Sequence, residues 1–379
     1  KSNSNDSNVK EFLKLFDNVI MLSGNPDIKK QWYDMKKKYL DDEMSIANVA
    51  IEEINAKCSP GTSKEKSAGT SIESCFIEIA RAISEREKVL IVCTDKKQLL
   101  PKLAACNTRN MIFVEIASND TWARDHGAIS VLKNGKLILY DFTFNGWGMK
   151  FASNLDNQIT RELFFQNVFS DGVDWQNNMN FVLEGGSIES DGKGTLLTTE
   201  ECLLSRNRND SKSKAEIEAY LKSKFALEQI LWLSSGYLAG DDTDSHIDTL
   251  ARFCDENTIA YVRCDDPSDE HYEALRQMER ELQAFRTLCG NPYRLVPLPM
   301  AEAVYEEGER LPATYANFLI INDAVLVPTY GSGRDSEALA QLQKIFPSRE
   351  IVPINCTALI KQHGSLHCVT MQFPEYVLD

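Results

Sequence analysis

From Ser71 onward the chain repeats one order of elements, two short apolar runs, a helix and a further apolar run, and this order constrains its fold more than any single motif. Residues 128–132 and 137–142 flank Asn134-Gly135, the strongest short hairpin signal. A second hairpin turns at Asp191-Gly192-Lys193-Gly194, then a helix is predicted over Lys214–Phe225 and a strand over Gln229–Leu233. Strands at 247–253 and 258–262 precede a long helix at 269–288 and a strand at 293–298. Strands at 316–321 and 324–327 precede a helix at Asp335–Ile345 and a strand at 350–354. Upstream, Phe76, Ile79, Ala80 and Ile83 share a helical face, and 89–93 and 111–116 read as buried strands. A strand-strand-helix-strand unit that recurs without sequence identity predicts an α/β repeat closed into a ring, one catalytic domain over residues 71–379. Residues 1–70 read as an atypical N-terminal segment, with a disordered tail at 1–8 and a linker at 58–70.

A formal charge of −15 excludes nucleic acid and anionic membranes as natural partners, since both are held through excess Lys and Arg. It suits a small cationic ligand. No apolar run is long enough to span a membrane. The ten cysteines contain no CxxC pair and most sit in apolar runs, so nine are read as buried free thiols in a reducing, cytoplasmic setting.

Four of the five histidines, His126, His246, His363 and His367, lie in polar segments resembling site loops. In Asn119-Asp-Thr-Trp-Ala-Arg-Asp-His-Gly127, Asp125 is either presented to a cleft or a turn former. In Phe181-Val-Leu-Glu-Gly-Gly-Ser187, Glu184 beside two glycines is either a recognition carboxylate or the solvated residue of a bulge. Gly240-Asp-Asp-Thr-Asp-Ser-His-Ile-Asp248 would put His246 and Asp248 on one side of an extended segment. The cluster lacks the register of a calcium loop and has one histidine for zinc, so acid/base work is favoured over a metal. Lys361-Gln-His-Gly-Ser-Leu-His-Cys368 holds either a nucleophilic thiol or a buried one, and its His pair would face one way only on a helix.

These groups suit a common target. Carboxylates near a thiol raise its pKa and repel an oxyanion, which handicaps attack on a neutral amide. A guanidinium reverses the argument, because two carboxylates can clamp its planar fork while sulfur attacks the central carbon.

Over about 71–374 the chain resembles the agmatine deiminases and bacterial peptidylarginine-deiminase-like proteins of the guanidino-group-modifying superfamily. The resemblance rests on the segments above with Asp141-Phe-Thr-Phe-Asn-Gly-Trp-Gly148, Asp191 to Leu204, Asn207-Arg-Asn209, Tyr315-Ala-Asn-Phe318 and His367-Cys368. It implies a five-bladed α/β propeller, the pentein fold. It implies Cys368 as nucleophile, His246 as general acid/base, and Asp125 and Asp248 as guanidinium clamps. Glu184 would be a further carboxylate at the guanidinium, with Trp122 and Gly185 also at the substrate. The implied reaction takes agmatine to N-carbamoylputrescine and ammonia through a thiouronium on Cys368, with no metal or cofactor. A homodimer is an allowed assembly. The chain departs from the family in lacking a Pro-x-Glu-Trp opening in 1–70, and in Ser245, Ala128, His363-Gly364 and Pro328-Thr-Tyr-Gly-Ser-Gly-Arg-Asp335. Free or C-terminal peptidyl arginine therefore remains an alternative substrate, with Arg124 and Arg334 as candidate carboxylate partners. A non-catalytic guanidinium-binding protein is the alternative from another class.

Overall fold

The computed structural model describes residues 71–133, 135–375 and 377–378. The expected tail at 1–8, the linker at 58–70 and Asn134 of the first turn lie outside the described residues. Helix α1 (Ile72–Ser84) starts where the Ser71 hydroxyl accepts from the Ser74 amide at 3.1 Å. It leads into β1 (Val89–Cys93), which pairs in parallel with β2 (Met111–Glu115).

Four three-stranded sheets then share one plan. The first two strands run antiparallel, a helix follows, and the last strand returns parallel to the middle one. They are β3 (Ile129–Lys133), β4 (Lys136–Thr143), α2 (Asp156–Phe165) and β5 (Asp174–Val182); β6 (Ile188–Ser190), β7 (Thr195–Thr199), α3 (Lys214–Phe225) and β8 (Gln229–Leu233). Next come β9 (Ala251–Asp255), β10 (Thr258–Arg263), α4 (Tyr272–Ala284) and β11 (Arg294–Pro299). The last set is β12 (Leu319–Ile321), β13 (Ala324–Thr329), α5 (Asp335–Ile345) and β14 (Glu350–Asn355). The architecture is thus mixed α/β with small sheets, and no sheet is closed among the described residues.

Local chemistry explains the boundaries. Helix α3 begins at a capping box, Ser213 and Glu216 each satisfying the other's backbone amide. The middle strands β7, β10 and β13 are buried almost throughout, as expected when a sheet is covered on both faces. Helix α4 is shorter than the predicted 269–288. Asp269 is taken by the His271 amide and by Arg310, which holds the lead-in as a turn. At its other end Arg286 Nη1 collects the carbonyls of Gln283, Ala284 and Phe285 where the backbone turns extended. Two strands also start later than predicted. Ile247–Thr249 is a 3-10 turn ahead of β9, and Ala316 and Asn317 give their carbonyls to Arg252 and to the His367 amide before β12 begins. Of the described thiols Cys75, Cys202, Cys264, Cys356 and Cys368 are buried, Cys93, Cys106 and Cys254 partly so and Cys289 exposed; none is paired. No described helix is long and apolar enough to cross a membrane.

This plan places the site. Asp125 lies between β2 and β3, Glu184 between β5 and β6, His246 and Asp248 between β8 and β9, Asn317 between β11 and β12, and Cys368 after β14. Every junction from one sheet to the next thus delivers a polar group, as loops on a rigid scaffold commonly do.

Candidate active site

The site is an acidic cavity of about 260 Å³ whose wall includes Trp122, Asp125, Trp147, His246, His363 and Cys368. Around its mouth stand Asp120, Asp241 and Asp242. Burial and neighbouring Asp241 push Asp242 up to about 6, against the pull of His363 and Lys150.

Cys368 sits at its floor. Its Sγ is 3.4 Å from Asn317 Nδ2 and 3.9 Å from Asp248 Oδ2. Burial, then Asp248 and Asp125, raise the thiol well above its usual value, so without substrate it keeps its proton.

Asp125 rides on the short helix Ala123–His126 and is fixed by two donors: Trp147 Nε1 to Oδ2 and the Gly186 amide to Oδ1, both at 2.9 Å. Trp147 reaches it from a turn in which Gly146, Trp147, Gly148 and Met149 all have positive φ. Such residues cost roughly 1–2 kcal/mol each when not glycine, which the indole bond and its packing on Phe144 help offset.

Of the two glycines after Glu184, Gly186 makes the close approach to the site. A Cβ there would lie 2.6 Å from His246 Nδ1 and 2.7 Å from Asp125 Oδ1. Gly185, expected at the substrate, instead abuts the Arg124 carbonyl, where a Cβ would lie 2.1 Å away. Gly364 packs on the Trp122 ring, which a Cβ would meet at 2.2 Å.

His246 lies between two carboxylates, Nδ1 3.6 Å from Asp125 and Nε2 3.9 Å from Glu184. Burial disfavours its charged form, but Asp125, the neighbouring Cys202 and Glu184 outweigh this and raise it well above the usual histidine range. Because Cys202 is itself pushed up by burial and stays neutral, the two carboxylates are the physical source of that rise.

Glu184 stands behind His246 rather than on the cavity wall. Both of its oxygens accept from Arg208 Nε, at 3.0 and 2.8 Å. Burial opposes its charge, yet Arg208 and His246 hold it down at about 2. Arg208 also donates to Asp244 and to the Thr243 carbonyl, clamping the loop that carries His246. Glu184, Cys202 and His246 converge closely enough to suggest a metal, but the guanidinium already occupies the cation's place on Glu184.

Asp248 does not share an extended face with His246; the 3-10 turn brings both to the site instead. Asp248 Oδ2 accepts from His367, while Oδ1 is buried with no partner among the described residues. Burial pushes Asp248 up to about 7, Asp125 adding to this and His246, Arg252 and Arg124 opposing. His363, at φ +66°, lines the mouth with Nδ1 against the Gly240 carbonyl, so it forms no metal-facing pair with buried His367. His126 lies outside the cavity, buried with neither ring nitrogen hydrogen-bonded among the described residues.

Sequence reasoning missed the roles of Trp147, Arg208 and Asn317. Their signals were present in Asn145-Gly-Trp-Gly148, Asn207-Arg-Asn209 and Tyr315-Ala-Asn-Phe318, which do not announce a contact.

Comparison with known proteins identifies the family of the chain. The family model for Porphyromonas-type peptidyl-arginine deiminase matches residues 59–374. Agmatine deiminase of Ectopseudomonas mendocina is 32% identical over 333 residues, 82% of this chain and 89% of the relative. That of Stutzerimonas stutzeri is 34% identical over 80% of this chain and 87% of the relative. Among solved structures, a putative arginine deiminase from Porphyromonas gingivalis superposes with a TM-score of 0.81 at 53% identity, covering 84% of this chain and 94% of that one. Agmatine deiminase of C. jejuni with substrate bound gives 0.73 at 41%, covering 79% and 86%. The chain belongs to the family of agmatine deiminases and Porphyromonas-type peptidyl-arginine deiminases, enzymes that hydrolyse a C–N bond of a guanidino group.

Proposed function

We propose that the protein deiminates agmatine to N-carbamoylputrescine and ammonia through a covalent intermediate on Cys368. One observation carries the reading: the Cys368 thiol, Asp125 and a histidine held between carboxylates line one acidic cavity, and the buried Asp248, one of whose oxygens has no partner among the described residues, lies 3.9 Å from the sulfur. The guanidinium enters between Asp125 and Asp248, and its charge offsets the two anions that keep Cys368 protonated. The thiol loses its proton to solvent as the cation binds. Sulfur then adds to the guanidino carbon, His246 gives its proton to the departing nitrogen, and ammonia leaves. The remaining S-alkylthiouronium is attacked by water, His246 takes the water's proton, and collapse expels the Cys368 thiolate with the ureido product. Trp122 and Trp147 supply flat walls, and Glu184 acts through His246 rather than on the substrate.

The far end of the cavity favours an amine. Asp120, Asp241 and Asp242 surround the mouth, and the described wall holds no Arg or Lys. Arg124 is spent on Gln372 and the His367 carbonyl, and Arg334 pairs with Glu337, so neither offered candidate meets a substrate carboxylate. Arginine deimination is the second reading, favoured by the 53% identity to the putative arginine deiminase. The four like sheets and the β1–β2 pair fit five blades of a closed propeller spanning residues 71–379, and the unpaired thiols fit a reducing, cytoplasmic site. Incubation with agmatine, free arginine and a C-terminal arginine peptide, with ammonia and ureido product measured, decides the substrate. Agmatine should give the highest kcat/KM; a higher value for either arginine substrate replaces this reading with the second.

A further inference from the structure

His367 adjoins the nucleophile in sequence, yet the chemistry above does not use it. Its ring is buried, with Nδ1 2.7 Å from Asp248 Oδ2 and Nε2 3.1 Å from Arg252 Nη2. A guanidinium can only donate, so Nε2 is the accepting nitrogen. The ring proton of a neutral imidazole then lies on Nδ1 and is donated to Asp248. Arg252 cannot swing away: Nε donates to Glu189 at 2.8 Å, Nη1 donates to the Ala316 and Phe318 carbonyls, and its plane lies 4.8 Å from the Phe318 ring. The His367 amide is held in turn by Asn317 Oδ1 at 2.8 Å. The charged groups facing the ring are Asp248, Arg252 and Arg124, and burial together with the two arginines keeps it far below the usual histidine range.

We propose that His367 is a positioning residue for substrate: a neutral donor that ties Asp248 down by Oδ2 and leaves Oδ1 for the guanidinium without itself neutralising the carboxylate. Neutrality is the point of the arrangement. An imidazolium would pair with Asp248 and cancel the charge on which a cationic substrate depends, whereas a neutral N–H orients the carboxylate without neutralising it. The inference rests on the assignment of Asp248 to the guanidinium made above.

The test uses a Cys368→Ser background, in which agmatine binds without turnover and its Kd is read by calorimetry. His367→Asn places an amide nitrogen near the Nδ1 position and keeps the bond to Asp248. His367→Gln reaches the Nε2 position and loses it. The Asn variant should keep agmatine within about threefold of its parent and the Gln variant should lose about tenfold or more, of the order of one charge-assisted hydrogen bond. With Cys368 restored, His367→Gln should raise KM more than it lowers kcat. Equal losses in the two variants, or parental affinity in His367→Gln, would overturn the proposal while leaving the deiminase reading intact. Failure of the Cys368→Ser parent to bind agmatine overturns both, because the substrate assignment then falls first. Melting curves check folding; should His367→Gln not fold, His367→Asn decides alone, and a tenfold loss there overturns the proposal.

Discussion

His246 and His367 are the same residue type and both are buried beside the site, yet the protein holds them in opposite charge states. His246 is enclosed by Asp125 and Glu184 and held protonated. His367 is backed by Arg124 and Arg252 and held neutral. Burial disfavours the imidazolium in both, so the difference comes from the sign of the neighbouring charges. The lesson concerns motifs: the histidine next to the proposed nucleophile in sequence is hydrogen-bonded to a carboxylate, and the histidine proposed for proton transfer arrives from another junction of the fold.

The comparison breaks most visibly at the reacting groups. Cys368→Ala should abolish ammonia release and His246→Asn should cost about 10³-fold or more in kcat with agmatine binding kept, as expected for a nucleophile and its acid/base. Appreciable turnover by Cys368→Ala would remove the covalent mechanism. Next in size, Asp125→Asn or Asp248→Asn keeps the shape and deletes a charge facing the guanidinium, and kcat/KM for agmatine should drop by about 3 kcal/mol, or ~100-fold. Steady-state kinetics near the parental rate in Asp125→Asn would refute the clamp.

Stability sharpens the contrast further. Asp248 has a folded value near 7, above the ordinary 3.8, so its contribution to stability is complete in acid and is lost as pH rises through 7. Asp248→Asn has no such loss. Its melting temperature should therefore overtake that of the parent between pH 5 and pH 8, by on the order of 2 kcal/mol in stability. A gap independent of pH would show that the carboxyl is ionised with little penalty. An effect on stability alone belongs to His126, a buried histidine with no charged partner among the described residues. Burial alone lowers it to about 4, so its contribution is complete above the unfolded value of 6.5 and is lost as pH falls through 4. The stability of His126→Phe relative to the parent should improve by about 2 kcal/mol between pH 7 and pH 5, with kcat unchanged at neutral pH. Equal acid sensitivity in the two proteins would mean that His126 finds a partner in solution.

The repeating units were legible because periods of 2 and 3.6 residues record which face each element buries, and α3 was predicted at its observed limits. Its capping box lies wholly within those few residues. The ends of α4 were not legible, since Arg310 and Arg286 set them through contacts that local periodicity does not encode. At the site, the polar junction segments drew attention to Asp125, His246, Asp248 and Cys368 because acidic and thiol side chains are costly to bury without purpose. Glu184 was equally conspicuous, but its place behind His246 depends on Arg208, 24 residues further along the chain. The tautomer of His367 depends on Arg252, 115 residues away. Neither leaves a trace in local pattern.

The delivery of site groups by successive junctions bears on how the protein comes into being. Asp248 and Asn317 lie 120 and 51 residues before the sulfur they surround. Contacts over such separations form late, after the loop entropy of closing them has been overcome. A fragment missing one junction thus lacks a member of the constellation, however well its remaining sheets fold. Catalysis should accordingly emerge as the final event of refolding, lagging behind the return of helical signal, and the rate at which ammonia production recovers would time the completion of the whole molecule.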